Sequence, residues 1–267
     1  MNLPLFLHAW RANRGRLAIV ALALTLWGAL LPIIFDAFGA QFQELQESGI
    51  IPDAFSQFGG GDIFSLTGSV ALGFIHPIAV GLVLVFAVGF AASAVAGERQ
   101  RGTLEVLLAR PISRRRVYAT LALAAALFVA IATAALTLGA FLGSALTDRL
   151  AELGAGNLPI LWLNSALLFG SIAAVSLAAS VSFDRLTPAL GLSLAFVLVS
   201  YFLDVLGQLW PDAAGLQPLS VFHYLDARAA LAGLPDPANF VTLGAVIVAA
   251  VVYALVVFPR RDLAAPS

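Results

Sequence analysis

The sequence predicts an all-α integral membrane protein, a single domain over residues 1–267 with six transmembrane helices. Three observations carry that prediction: overall apolarity, the length of the apolar runs, and the placement of the arginines. Of 267 residues, 61% are hydrophobic and 11% charged, against about 25% charged in soluble domains. Mean hydropathy is +0.96. A soluble fold could not hide so much apolar surface, because a single core stops growing near this length. Lipid as the solvent removes that limit.

The runs predicted to cross are 17–35, 70–96, 117–143, 159–181, 188–206 and 240–258, each near the roughly 20 residues that a spanning helix needs. Backbone groups in lipid must bond within their own segment, so runs of this length read as helices. Before the first run, residues 2–16 carry Leu5, Phe6, Trp10, Arg11, Arg14 and Arg16. This mixture predicts an N-terminal interfacial helix with Trp10 at headgroup level. Ala37-Phe38-Gly39 is a small-x-small triplet, but the preceding run is too long for a signal-peptide core and no cleavage is expected. Span one is expected to continue outward through Ala40–Gln46 and to break at Pro52 and Gly59-Gly60-Gly61.

Span three carries Gly139-x-x-x-Gly143, the spacing that lets two helices approach closely. Span four carries Asn164, Ser165, Ser171, Ser176 and Ser180. Bonds between helices are the simpler account of these, and a dimer seam or substrate path is the alternative. Asp204 in span five and His76 in span two lie toward the outer ends, where a satisfied interfacial role outweighs ion coupling. Residues 207–239 are half apolar, with Leu216, Leu219, Phe222, Tyr224 and Leu225 between Pro211 and Pro235. They predict short outer-face helices before the last span, either dipping into the interface or capping the bundle.

Arginine placement sets the orientation. Segments 1–16, 97–116, 182–187 and 259–267 hold three, six, one and two arginines, and the segments between them on the other side hold only Arg149 and Arg228. Both termini are therefore expected in the cytoplasm, with the chain multi-pass in the cell (inner or cytoplasmic) membrane.

The loop after span two, Gly97 to Arg116, has its own pattern. Gly102 permits a sharp break, Thr103 is a candidate N-cap, and Glu105 suits the positive end of a helix dipole. Leu104, Leu107 and Leu108 recur at i, i+3 and i+4, giving a short helix one apolar face. Pro111 stops it, and Ser113 is placed to cap the next helix. That face needs a cover, either the chain's own bundle and the lipid surface or a cytoplasmic partner. In the partner case Glu98, Arg99, Arg101 and Glu105 supply a charged rim.

The run Glu-x-x-x-Gly-Thr-Leu-Glu-x-Leu-Leu-x-x-Pro-x-Ser-Arg, from Glu98 to Arg114, resembles the cytoplasmic loop of ABC type-2 exporter permeases. A fainter echo lies in Leu219 to Tyr224, although the proline here falls earlier, at Pro218. The resemblance implies a coupling helix seated in a groove of a separate ATP-binding subunit. Its contact residues would be Glu98, Arg99, Arg101, Gly102, Thr103, Leu104, Glu105, Leu107, Leu108, Arg110 and Pro111. It further implies two permeases, expected as a homodimer, with two ATPases that bind ATP and Mg. No cofactor is expected on this chain, and no nucleic acid partner.

All 14 basic residues are arginine and there is no cysteine. A P-loop needs a lysine to reach the β- and γ-phosphates, so ATP chemistry must come from another chain. The missing thiols exclude disulfides and thiolate metal sites. No His-Glu-x-x-His or Gly-x-Ser-x-Gly run supports a membrane-embedded enzyme. Scarce intramembrane charge weighs against a channel or secondary transporter. A permease-like subunit that supports maturation of an extracytoplasmic enzyme keeps the same fold.

Overall fold

The computed structural model describes residues 1–48, 64–109 and 111–261. Helix α1 runs unbroken from Leu3 to Glu47, about 68 Å if straight. The expected interfacial helix and first span are thus one element. Only Gly15 weakens the sequence between them, and it stays helical. Asn2 starts the helix by accepting the Leu5 N–H at 2.9 Å. Continuation past the bilayer to Glu47 agrees with the polar helical run at 40–46. The glycine-rich break lies outside the described residues.

The second span is bent. Helix α2 (Leu66–Ile75) and α3 (Pro77–Ser93) meet at His76 with a 41° bend. Pro77 has no N–H to donate, and the residue before a proline is pushed out of the helical region. His76 accordingly sits at φ −62°, ψ 138°, and its Nδ1 accepts the Ile78 N–H at 3.3 Å. Residues Val85–Phe90 form a π-helical turn within α3. A short α4 (Ala96–Gln100) and α5 (Thr103–Leu108) follow.

Helix α6 spans Arg114–Leu146, and Ser113 caps it as expected, accepting the Arg116 N–H at 3.3 Å. The short α7 (Leu150–Leu153) leads to α8 (Leu158–Ser182) and α9 (Leu186–Leu209). Two 3₁₀ turns, Pro211–Leu219 and Phe222–Tyr224, then α10 (Ala227–Leu231), form the expected short helices before α11 (Pro237–Arg260).

Five of these helices are long and apolar enough to cross a membrane. Their packing decides how to count the bent pair. Helices α1 and α6 run parallel: the Asn2 N–H donates to Thr120 Oγ1 at 2.8 Å, Thr25 Oγ1 to the Ala135 carbonyl at 3.1 Å, and Arg149 pairs with Asp36. The chain between two parallel spans must return across the bilayer. Helices α2 and α3 do so antiparallel to α1, with Trp27 Nε1 donating to the Gly73 carbonyl at 3.1 Å. The pair is therefore one broken span, and the bundle has six.

The α1–α6 seam is backbone against backbone. A Cβ on Gly28 would collide with the Leu136 carbonyl oxygen, one on Gly139 with that of Thr25, and one on Gly143 with that of Ala29. The Gly139-x-x-x-Gly143 spacing thus serves close packing within the chain. Phe128 centres the core, with Trp10, Phe86 and Phe90 rings 5.0–6.0 Å away. Trp10 packs on Phe128 as part of the bundle, because α1 lies against α6 from its first turns.

Of the five polar residues singled out on α8, Ser180 and Asn164 bond to other segments as the simpler reading required, while Ser176 Oγ has no partner among the described residues. Ser180 Oγ donates to the Ala92 carbonyl at 2.7 Å and accepts the Val95 and Ala96 N–H groups at 3.0 Å, stitching the α3–α4 break. Asn164 donates to the Tyr224 carbonyl and accepts the Asp226 N–H. Ser165 and Ser171 bond within their own helix. At the far end Arg149 donates to Asp36 at 2.8 Å and Glu152 at 2.9 Å. Those bonds, Asp36 first, push its guanidinium above its ordinary range.

Candidate functional site

The start of α1, helices α4 and α5, the 183–185 turn, the start of α6 and the end of α11 meet at one end of the bundle, where most of the arginines lie. The loop from Gly97 to Ser113 folds there as two short helices at an angle. Gly102 sits at φ 71°, a left-handed conformation that only glycine adopts without strain. Its N–H donates to the Arg99 carbonyl at 2.9 Å and closes α4. Gly102 therefore occupies the N-cap position of α5, and Thr103, expected there, is the first helical residue. The Thr103 hydroxyl instead turns back to the Glu98 carbonyl at 3.0 Å and the Glu98 carboxylate.

The leucines of α5 point into the chain's own bundle. Leu104 is 1% exposed, and Leu107, Leu108 and Ile112 are half-buried against the main core. What α5 presents outward is Glu105, Val106 and Ala109, with Val106 69% exposed. Arg101 and Pro111 are also exposed, and Gly102 is half-buried. Arg110 lies outside the described residues. Beside Val106, a hollow of about 340 Å³ separates α5 from the first turns of α1, lined by Pro4, Leu5, His8, Thr103 and Leu107 among others.

The charged residues of the loop are largely engaged. Glu98 pairs with Arg101. Arg99, expected in the rim, is 11% exposed and pairs with Asp184 in the α8–α9 turn. Asp184 also receives Arg261 from the end of α11, and Arg261 Nη1 donates to the Val181 carbonyl at 2.8 Å. Arg114 Nη1 donates to the Arg261 carbonyl at 2.6 Å, covering a helix C-terminus that would otherwise leave acceptors unpaired. Gln100 Oε1 accepts the Leu186 N–H at 2.9 Å. The loop is thus tied to spans four, five and six through Asp184. Sequence reasoning passed over this hub, since three charges 85, 77 and more positions apart give no local signal; the acidic Asp184 among inner arginines was the one available cue.

At the opposite end a cavity of about 520 Å³ is lined by Asp204, Gln208, His223, Asp226, Asp236 and neighbours. Asp204 is 5% exposed and accepts from Gln208 Nε2 at 2.7 Å. Asp226 and Asp236 cap α10 and α11. His76 packs against Trp27, ring centroids 4.7 Å apart and tilted by 37°. Among the described residues no group of three His, Asp or Glu side chains is placed to hold a metal ion.

Residues 11–263 match the family model of the ABC-2 family transporter protein. The chain belongs to the ABC-2 transporter family. The match covers all six spans and the α4–α5 loop, so this ABC-2 protein is a permease subunit of an ABC transporter. Such a subunit associates with an ABC ATPase and is not itself the catalyst. No curated protein matches the chain.

Proposed function

We propose that this ABC-2 permease couples ATP hydrolysis on a separate ATPase subunit to movement of an amphiphilic or apolar substrate out across the cell membrane. The arginine-rich end and both termini face the cytoplasm. ATP and Mg bind the partner, and two permeases work with two ATPases. The observation that carries this reading is the division of labour on α5. Leu104 anchors it inward, leaving Glu105, Val106 and Ala109 as an outward ridge beside the hollow under α1. A short helix held at one face and bare on the other suits a groove on a soluble partner.

Displacement of α5 would pass through Arg99 to Asp184 and so to α8, α9 and α11, a rigid-body route of the kind packed interfaces support. Co-purification with a candidate ABC ATPase tests the docking ridge. Val106→Asp and Glu105→Arg are expected to release the ATPase while the permease still inserts in the membrane. Unchanged capture of the ATPase by both variants would overturn the assignment of α5.

A further inference from the structure

A groove of about 290 Å³ lies between α6, α8 and α11, within the membrane-spanning part of the bundle. Its walls are small residues, among them Ala122 and Ala126 on α6 and Gly170 and Ala174 on α8, with Ile247 of α11 alongside. Ala126 and Leu163 are exposed, so the groove opens sideways from the bundle, where the surrounding solvent is acyl chain. Along α6 it runs from Tyr118 to Ala130, about 18 Å, close to the roughly 15 Å depth of one leaflet.

Two polar side chains line it. Trp162 Nε1 is satisfied, donating to the Ala130 carbonyl at 3.0 Å. The Tyr118 hydroxyl is fully buried and has no hydrogen-bond partner among the described residues. Buried hydroxyls are nearly always bonded, so this one marks a missing acceptor. Tyr118 stands at the end of the groove nearest the arginine-rich surface. Arg115, one turn earlier on the same face of α6, is exposed and makes no ion pair among the described residues.

We propose that this groove binds the acyl chain of a lipid or lipid-like amphiphile from the leaflet at the arginine-rich end. The chain lies along the alanines toward Trp162, a turn of the Tyr118 ring brings its buried Oη to the ester or carboxyl oxygen as donor, and the anionic headgroup meets Arg115. This deepens the amphiphile reading of the cargo but rests only on membrane embedding. Loss of ATPase docking in Val106→Asp leaves it untouched, so the two readings fail separately.

Contact quenching of Trp162 tests it. The full chain in detergent micelles is titrated with phosphatidylglycerol brominated in mid-chain. A saturable quenching component is expected in the wild type and absent from Trp162→Phe. Ala126→Phe, at an exposed position that fills the groove without disturbing the core, removes that component. Tyr118→Phe raises the half-saturating lipid concentration about five-fold, the loss of one hydrogen bond. Gly191→Ala on α9, outside the groove and with nothing within 4 Å of the added Cβ, stays near wild type. No saturable component in the wild type, as when a second copy of the chain covers the groove, overturns the proposal. So does saturation that Ala126→Phe leaves unchanged. With ATPase and ATP added, a signal that falls identifies the bound chain as cargo, and one that holds identifies a resident lipid; either outcome keeps the site.

Discussion

Replacing Leu104 by alanine is expected to unfasten α5 while leaving the six spans in place. The helix has six residues and no side-chain cap at its N-terminus, far below the roughly 12–15 residues that hold a helix unaided. Its order therefore comes from Leu104, which is 1% exposed, with Leu107 and Leu108 behind it. Truncating a buried leucine to alanine costs about 2–5 kcal/mol. The lower bound alone raises the open fraction of α5 about 30-fold, at tenfold per 1.4 kcal/mol. Hydrogen exchange reads this directly. The Ala109 N–H, bonded to the Glu105 carbonyl at 2.9 Å, and its neighbours should exchange about 30-fold faster or reach the unprotected rate, in chain held in lipid nanodiscs. Val106→Asp is the matched control: surface changes stay within about 0.5 kcal/mol, or about two-fold in exchange. If Leu104→Ala exchanged within two-fold of wild type, or Val106→Asp matched it, the inward placement of the leucines would be wrong.

Asp184→Asn removes the shared partner of Arg99 and Arg261. Since the Asp184 side chain is 57% exposed, the stability loss should stay near 0–1 kcal/mol per pair. ATPase co-purification should persist while its hydrolysis rate in the complex no longer responds to the permease; a wild-type response would remove Asp184 from the route. Gly139→Val drives a side chain into the Thr25 carbonyl and should lower the thermal midpoint by several degrees, an overpacking cost of about 1–3 kcal/mol or more. Gly15→Ala, with nothing within 4 Å, serves as its neutral counterpart, and equal midpoints would deny the seam. Single cysteines in this thiol-free chain test the topology. Val106→Cys should react with an impermeant maleimide only from the cytoplasmic side, and Leu219→Cys only from the opposite side. Labelling of both from one side would sink the six-span count.

The spans were legible because hydropathy reads the lipid-matched stretch of each helix. The helices overrun those stretches where caps extend them, from Ser113 for α6, and from Asp236 with Pro237 for α11. The bend at His76 was foreshadowed by Pro77, but neither its angle nor the π turn at Val85–Phe90 has a sequence signature. The leucine spacing of α5 predicted one apolar face correctly and could not say what covers it, because periodicity fixes a face relative to its own helix and nothing else. Thr103 had the chemistry of an N-cap, yet the left-handed Gly102 took the position, since closing α4 and opening α5 requires one residue with positive φ between them. The Asp184 hub and the orphan Tyr118 hydroxyl depend on contacts between distant segments, which only the assembled bundle reveals.

The glycine seam between α1 and α6 has a mechanical consequence. Helices separated by side chains can shift by repacking rotamers, but backbone pressed on backbone has no such slack. The two helices must therefore travel as a single strut from the arginine-rich end of the bundle to the opposite end, delivering at Asp36 and Arg149 whatever displacement is applied at Ser113. Pro32 also removes a hydrogen bond from α1, but α1 stays unbroken there and is braced by the seam one turn earlier, so compliance is left mainly to the broken second span. Pro77 removes a rung from its ladder, and the π turn loosens the next. The bundle thus pairs a stiff post with a jointed one, and a change of access would be made at the joint.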